Sequence, residues 1–333
     1  MPMSRSKLRE LGIELPLLPT TAVGSFPKPG YLTRARADFL QKKINASELK
    51  EAERRATEFW VHRQDELGLD VLVDGEMYRG DMVAFFADHL SGFEQGGLVR
   101  SYGNRYYHKP IIVNEVRWSE PITVEWWRFA QVLTSKPVKA IVTGAYTMMD
   151  WAFNEFYSTR HDACLALATE IRKEVEALID AGCKIVQIDE PAVSVRPEEL
   201  ELAIEAMEMT TRGLKAYFIT HICYGDFESI YPRMLDLAVD NFDLEVSNSR
   251  LDMLRLFSTK RFTSDISYGV VDVHTHAIED QALVEARLRR GLEVLSQESV
   301  WVDPDCGLKT RTVEEAEAKL QRMVLATRAL RGA

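Results

Sequence analysis

Cysteine is scarce in this chain of 333 residues. The four thiols, Cys164, Cys183, Cys223 and Cys306, are too few and too scattered for a disulfide framework. No apolar run approaches the ~18 residues needed to cross a bilayer, so no membrane association is expected. The segment Met1 to Pro19 carries Arg5, Lys7, Arg9 and Glu10 and lacks the apolar block of a secretory signal. A reducing cytoplasm is the expected compartment, where the thiols stay available for metal or chemistry. Basic charge is also in deficit: 41 Lys and Arg against 51 Asp and Glu leave a net charge of -10. An acidic surface repels phosphate backbones, which argues against nucleic acid as a partner. There is no low-complexity tract, no internal repeat and no Gly/Ser linker to mark a domain boundary.

What is present is a soluble composition, 46% hydrophobic and 28% charged, with ample material for a core. Short apolar, β-branched runs alternate with long amphipathic stretches. The runs are 20–26, 70–76, 138–144, 184–189, 216–221, 243–247, 268–274 and 299–303. Nearly continuous apolar runs suit parallel strands buried on both faces. Between them, Asn45 with Glu48 and Thr312 with Glu315 read as capping boxes opening charged helices, the first running to about Gly68 and the second toward Arg331. Further helices are expected over 161–181, 197–212 and 279–296. Eight strands alternating with helices predict an α/β protein, a (β/α)8 TIM barrel forming one catalytic domain over 1–333. Two segments break the alternation: an N-terminal extension, 1–18, and the stretch 97–113, which reads as a hairpin turning near Gly103-Asn104 between strands 2 and 3. A long insertion of that kind is expected to cover the catalytic face.

Polar residues collect where the proposed strands end: Gly24-Ser25, Glu76, Asp189-Glu190, His221 with Cys223, Glu245, His274 and Cys306. In a barrel these ends converge on one mouth, which points to an enzyme. His221 and Cys223 stand at i and i+2, so on an extended segment both face the same side. A lone His-x-Cys is usually not a ligand pair. Adding Glu245 and Cys306 makes a His/Cys/Glu/Cys set of zinc-like ligand type. Buried free cysteine most often acts as a small hydrophobe, and Cys164 and Cys183 fit that role. Cys306, in the polar turn Asp303-Pro-Asp-Cys-Gly, does not. The Asp272-Val-His274-Thr-His276 segment comes too late in the chain for an amidohydrolase metal site, so His274 reads as a single acid/base or orienting group.

Longer motifs carry a resemblance. LPTTAVGSFPKPG at 18–30, DVLVDGEMYRGDMV at 70–83, SYGNRYYHKPI at 101–111 and TGAYTMMDWAF at 143–153 resemble the catalytic barrel of the cobalamin-independent methionine synthases. So do QIDEPA at 187–192, THICYGDF at 220–227, VDVH at 271–274 and WVDPDCGLKTR at 301–311. The resemblance implies transfer of a methyl group to the thiol of L-homocysteine, with Zn²⁺ held by His221, Cys223, Glu245 and Cys306. It also implies a homocysteine pocket at Val23, Gly24, Ser25, Glu76 and Asp189, a proton-donating His274, and a methyl-donor site at Arg105, Tyr106 and Trp151.

Zinc deprotonates a bound thiol outright, whereas a free thiol near pKa ~8.5 is only a few per cent thiolate at neutral pH. Zn²⁺ with two cysteinates and one glutamate sums to -1 before substrate binds, which keeps a bound sulfur nucleophilic.

The sequence departs from the family on the donor side. Tyr106 replaces the cysteine of the hairpin Arg-Cys pair, Val195 stands where a pterin-contacting glutamate is expected, and Thr275-His276 replaces Ser-Pro. No second, N-terminal barrel accompanies the motifs. Of the two donors, 5-methyltetrahydrofolate and methylcobalamin or a corrinoid carrier protein, these departures favour the corrinoid. The competing readings are a methylcobamide-dependent methyltransferase acting on another thiol, such as coenzyme M, and a non-catalytic zinc protein. Glu76 and Asp189 weigh against the first, because coenzyme M has no ammonium, and dispersed ligands weigh against the second.

Overall fold

The computed structural model describes residues 3–101, 105–223, 227–247, 253–260 and 262–332. In chain order the elements are α1 (Met3–Glu10), α2 (Gly30–Leu40), α3 (Ala46–Leu67), α4 (Met82–Ala87), β1 (Ser91–Ser101), β2 (Arg105–Arg117), α5 (Val124–Val132), β3 (Ala140–Thr143), α6 (Ala145–Asp150), β4 (Phe153–Asn154) and α7 (Arg160–Asp180). They continue as β5 (Ile185–Asp189), α8 (Leu200–Thr211), β6 (Tyr217–Ile222), α9 (Phe227–Ile230), β7 (Asn241–Leu244), α10 (Met253–Thr259), β8 (Asp265–Val271), α11 (Gln281–Leu292), β9 (Val300–Pro304) and α12 (Val313–Arg331). By its contacts the chain divides into two compact units. One comprises Met1–Tyr78, Trp126–Lys139 and Asp243–Ala333; the other comprises Arg79–Glu125 and Ala140–Phe242.

Both expected capping boxes form. The Asn45 side chain accepts from the Glu48 amide while the Glu48 carboxylate accepts from the Asn45 amide, and Thr312 and Glu315 repeat the exchange. Gly68 ends α3 in the left-handed conformation at φ 87°, where a side chain would be strained. The residues of β3, β5, β6, β7, β8 and β9 are buried without alternation, and the hydrogen-bonded order of their sheet is β3-β5-β6-β7-β8-β9. The pairs β3–β5, β5–β6 and β8–β9 are parallel.

The first two apolar runs are not regular strands. Thr20 makes a single parallel bridge to Val302, Leu72 makes one to Val138, and the Asp70 and Val71 amides donate to the Thr20 carbonyl. The carboxyl half of the second run turns away at Gly75 (φ 79°) and Glu76 (φ 58°), both left-handed, which ends any ladder there.

The inserted hairpin is longer than 97–113. β1 and β2 pair antiparallel from Ser91↔Arg117 to Ser101↔Arg105, with irregular register near Gly92 and between Gln95 and Leu98. Its polar flanks, Glu94, Gln95, Asn114 and Glu115, hid these strand ends, since they give no apolar signal. The expected turn at Gly103-Asn104 lies outside the described residues. The segment 1–18 contributes α1.

Candidate active site

His221 is the penultimate residue of β6 and Cys223 follows the strand; both are buried, and Cys306, two residues beyond β9, is half-buried. Their ligand atoms all lie within 4.8 Å of one another. Two donors on one tetrahedral zinc sit about 3.3–3.8 Å apart, from bond lengths of ~2.0–2.3 Å, so small side-chain rotations bring all three onto one ion. An imidazole and two thiols are also the donor types that zinc selects. The residues fit the metal.

Glu245, the fourth expected ligand, is not in that group. It is buried one residue past β7, and its Oε1 lies 2.9 Å from His274 Nε2. This hydrogen bond raises the His274 pKa above the ordinary histidine value, with burial opposing. A carboxylate has two oxygens, so one can hold His274 while the other faces a cation. His274 lies three residues beyond β8, not at its end. Its amide donates to Asp272 Oδ1 at 2.7 Å, and the Asp272 amide donates to Glu279 Oε1 at 2.8 Å. Beneath this loop Lys319, fully buried, donates to the Asp272 carbonyl (2.8 Å), the Ala277 carbonyl (2.5 Å) and Glu279 Oε2 (2.9 Å).

Asp305 ties the segments that carry Glu245 and Cys306 together. Fully buried, it accepts from the Val246 amide (3.0 Å), the Ser247 amide (2.8 Å) and the Ser247 hydroxyl, while its own amide donates to the Val271 carbonyl. Outer partners of this kind typically change metal affinity ~10–100-fold. Asp305→Asn keeps the size but replaces one acceptor oxygen with an amide. It is expected to weaken zinc binding within that range, read by competition with a chromogenic chelator; unchanged affinity would remove Asp305 from the site. The only sequence signal for Asp305 was its place beside Cys306, and Lys319 and Glu279 had none.

Val23 and Gly24 are buried and Ser25 is half-buried, and the Ser25 carbonyl accepts from the Leu308 amide at 2.7 Å. A Cβ on Gly307 would meet Ser25 Oγ at 2.1 Å, so glycine there lets the Cys306 turn close onto Ser25. Glu76 holds its left-handed backbone through a hydrogen bond from its amide to Asp74 Oδ1 at 2.9 Å, and Asp74 also accepts from Tyr78 Oη at 2.8 Å. Strained non-glycine backbone of this sort clusters at ligand sites. Lys28 is pushed down to about 8 by burial, then by Arg36, with Glu76 partly restoring it. Asp189 ends β5 and accepts from the Gln187 side-chain amide at 2.7 Å.

The neighbouring Glu190 is buried and accepts from the Tyr146 amide (3.1 Å), the Thr147 amide (2.7 Å) and the Thr147 hydroxyl (2.6 Å), fixing the start of α6. That helix ends at Trp151, its half-buried C-cap. Tyr106 is exposed on β2; Arg105 also lies on β2, but its side chain is outside the described residues.

The sequence profile of the cobalamin-independent synthase catalytic domain matches residues 18–329. The chain belongs to that family. Members similar to it include the methionine synthase of Sulfolobus acidocaldarius, 38% identical over 315 residues that span 94% of this chain and 92% of the relative. The 5-methyltetrahydropteroyltriglutamate–homocysteine methyltransferase of Vibrio cholerae is 40% identical over 95% of this chain, which spans only 43% of that longer protein. Among solved structures, a B12-independent methionine synthase from Shewanella sp. W3-18-1 in complex with selenomethionine superposes with a TM-score of 0.85 at 26% identity, covering 95% of this chain and 98% of that one.

The fold is therefore TIM-barrel-like α/β, and the chain is an enzyme of the cobalamin-independent synthase family. That removes the non-catalytic zinc protein. It also corrects the expectation of a methylcorrinoid donor or carrier, because the family is cobalamin-independent. The departures at Tyr106 and Val195 concern how a donor is held; they did not reveal which donor it is. Among the described residues no helix is long and apolar enough to cross a membrane.

Proposed function

We propose that this enzyme transfers a methyl group from a 5-methyltetrahydrofolate-type donor to the thiol of L-homocysteine, yielding L-methionine, with Zn²⁺ held by His221, Cys223, Glu245 and Cys306. The observation that carries the reading is the grouping of one imidazole and two thiols within 4.8 Å in a chain of this family. Zinc, when bound, supplies the means of keeping the substrate sulfur deprotonated at neutral pH.

The chain's own residues do the rest. The carboxylates of Glu76 and Asp189 pair with the substrate ammonium, and the backbone at Val23-Gly24 with the Ser25 hydroxyl receives its carboxylate. Glu245 orients His274 through the 2.9 Å contact, and His274 then supplies the proton that N5 of a folate needs to leave. Trp151 stacks on the pterin, flanked by Arg105 and Tyr106, and the β1–β2 hairpin covers the site. Rate arises chiefly from holding sulfur, methyl and leaving nitrogen in line. The whole of 1–333 acts as one catalytic domain, in a reducing cytoplasm where the ligand thiols survive.

The test is purified zinc-loaded enzyme with homocysteine and 5-methyltetrahydropteroyltriglutamate, with methionine measured. Methionine should form, cease on chelation and return with zinc, and methylcobalamin should not substitute. Turnover with methylcobalamin alone would overturn the donor assignment.

A further inference from the structure

Beside Trp151 lies a surface that the zinc and homocysteine residues do not use. Asp150, the last residue of α6, accepts from Arg160 Nη2 at 2.7 Å and from Arg196 Nε at 2.8 Å. The Arg160 fork is otherwise engaged by Glu199, through Nε at 2.8 Å and Nη2 at 2.6 Å, and Tyr146 Oη donates to the same Glu199 at 2.8 Å. Arg196 commits only its Nε; its two Nη groups make no hydrogen bond among the described residues.

The third cation is Lys109 on β2. Ile111, two residues on, is the parallel register partner of Phe153, so strand alternation brings Lys109 to the same face. Its Nζ lies 4.3 Å from the Phe153 ring centroid and forms no ion pair among the described residues. Burial lowers the Lys109 pKa, and Asp150, Arg160 and Arg196 are the charges around it.

Three cations thus face two carboxylates, and the two uncommitted donor groups belong to Lys109 and Arg196. Phe153 and Val195 expose about half of their surface beside them, 48% and 47%. Ammonium and guanidinium groups next to exposed apolar surface match a ligand that joins an aryl group to carboxylates.

We propose that Lys109 and Arg196, with the face of Phe153, form the subsite that takes the glutamate carboxylates of the methyl donor. The inference rests on the folate-type reading above and adds the residues that would recognise the tail. Asp150 orients Arg196, and Arg160 holds Asp150 in place, so both are positioning residues here.

The experiment measures binding of 5-methyltetrahydropteroate, which has no glutamate, and of 5-methyltetrahydropteroyltriglutamate by calorimetry. The zinc-loaded wild type is compared with the Lys109→Gln/Arg196→Gln double variant. A charge-assisted contact is worth roughly 10-fold or more in affinity, so the wild type should prefer the triglutamate by at least about that factor. The double variant should bind both compounds alike, with zinc content unchanged, and Lys109→Arg/Arg196→Lys should restore the preference. A double variant that keeps the preference, or a wild type that binds both compounds equally, would overturn the subsite while leaving the folate reading intact. A wild type that binds neither compound would overturn both.

Discussion

Cys306→Ser is expected to strip the enzyme of most of its zinc and of all measurable methyl transfer while leaving it folded. Cys306 lies in the turn after β9, outside the strands, so the hydrogen bonds that hold the sheet do not involve its side chain. Serine keeps the size but offers a hydroxyl that zinc neither deprotonates readily nor prefers to thiolate. The loss of affinity should exceed the ~10–100-fold that removal of an outer partner brings. Elemental analysis after desalting, circular dichroism and a methionine assay check the three parts separately. A Cys306→Ser protein with a full complement of zinc and wild-type turnover would remove the metal assignment.

The second large effect is on stability. Lys319 is fully buried on α12 and satisfies Glu279 and two carbonyls of the loop that carries His274. Lys319→Ala would leave Glu279 buried with the Asp272 amide at 2.8 Å and, as its one remaining cation among the described residues, Arg287 at the longer 3.4 Å. Breaking one side of such a pair typically costs ~3–5 kcal/mol, because the surviving charge is not compensated. Urea denaturation of Lys319→Ala should show a loss of that order. Lys319→Met/Glu279→Leu should recover most of it, since no charge is then stranded. Methyl transfer should stay depressed in the double variant, because the 272–279 loop has lost its anchor. A Lys319→Ala protein as stable as wild type would refute the account of the loop.

Much of the architecture was legible in the chain because it is written in local terms. The capping boxes at Asn45 and Thr312 follow from residues three apart. The burial of β5, β6 and β8 follows from apolar runs without alternation. The runs at Thr20 and Leu72 carry the same apolar signal, yet each makes only one bridge, and the second turns away where Gly75 and Glu76 are left-handed. The β1–β2 ladder outran its apolar centre because cross-strand hydrogen bonding is indifferent to the polar side chains at its ends.

For the site, the sequence by itself determined the family and the residue types of the candidate ligands, because long ordered motifs and the choice of His, Cys and Glu are properties of the chain alone. Only the tertiary structure decided which of them meet. His221, Cys223 and Cys306 converge, while Glu245 turns to His274, a choice made by side-chain geometry across four segments distant in sequence. It also decided the supports. Asp305, Lys319 and Glu279 act through hydrogen bonds to partners whose nearness exists only once the chain is folded, and no local pattern can encode them.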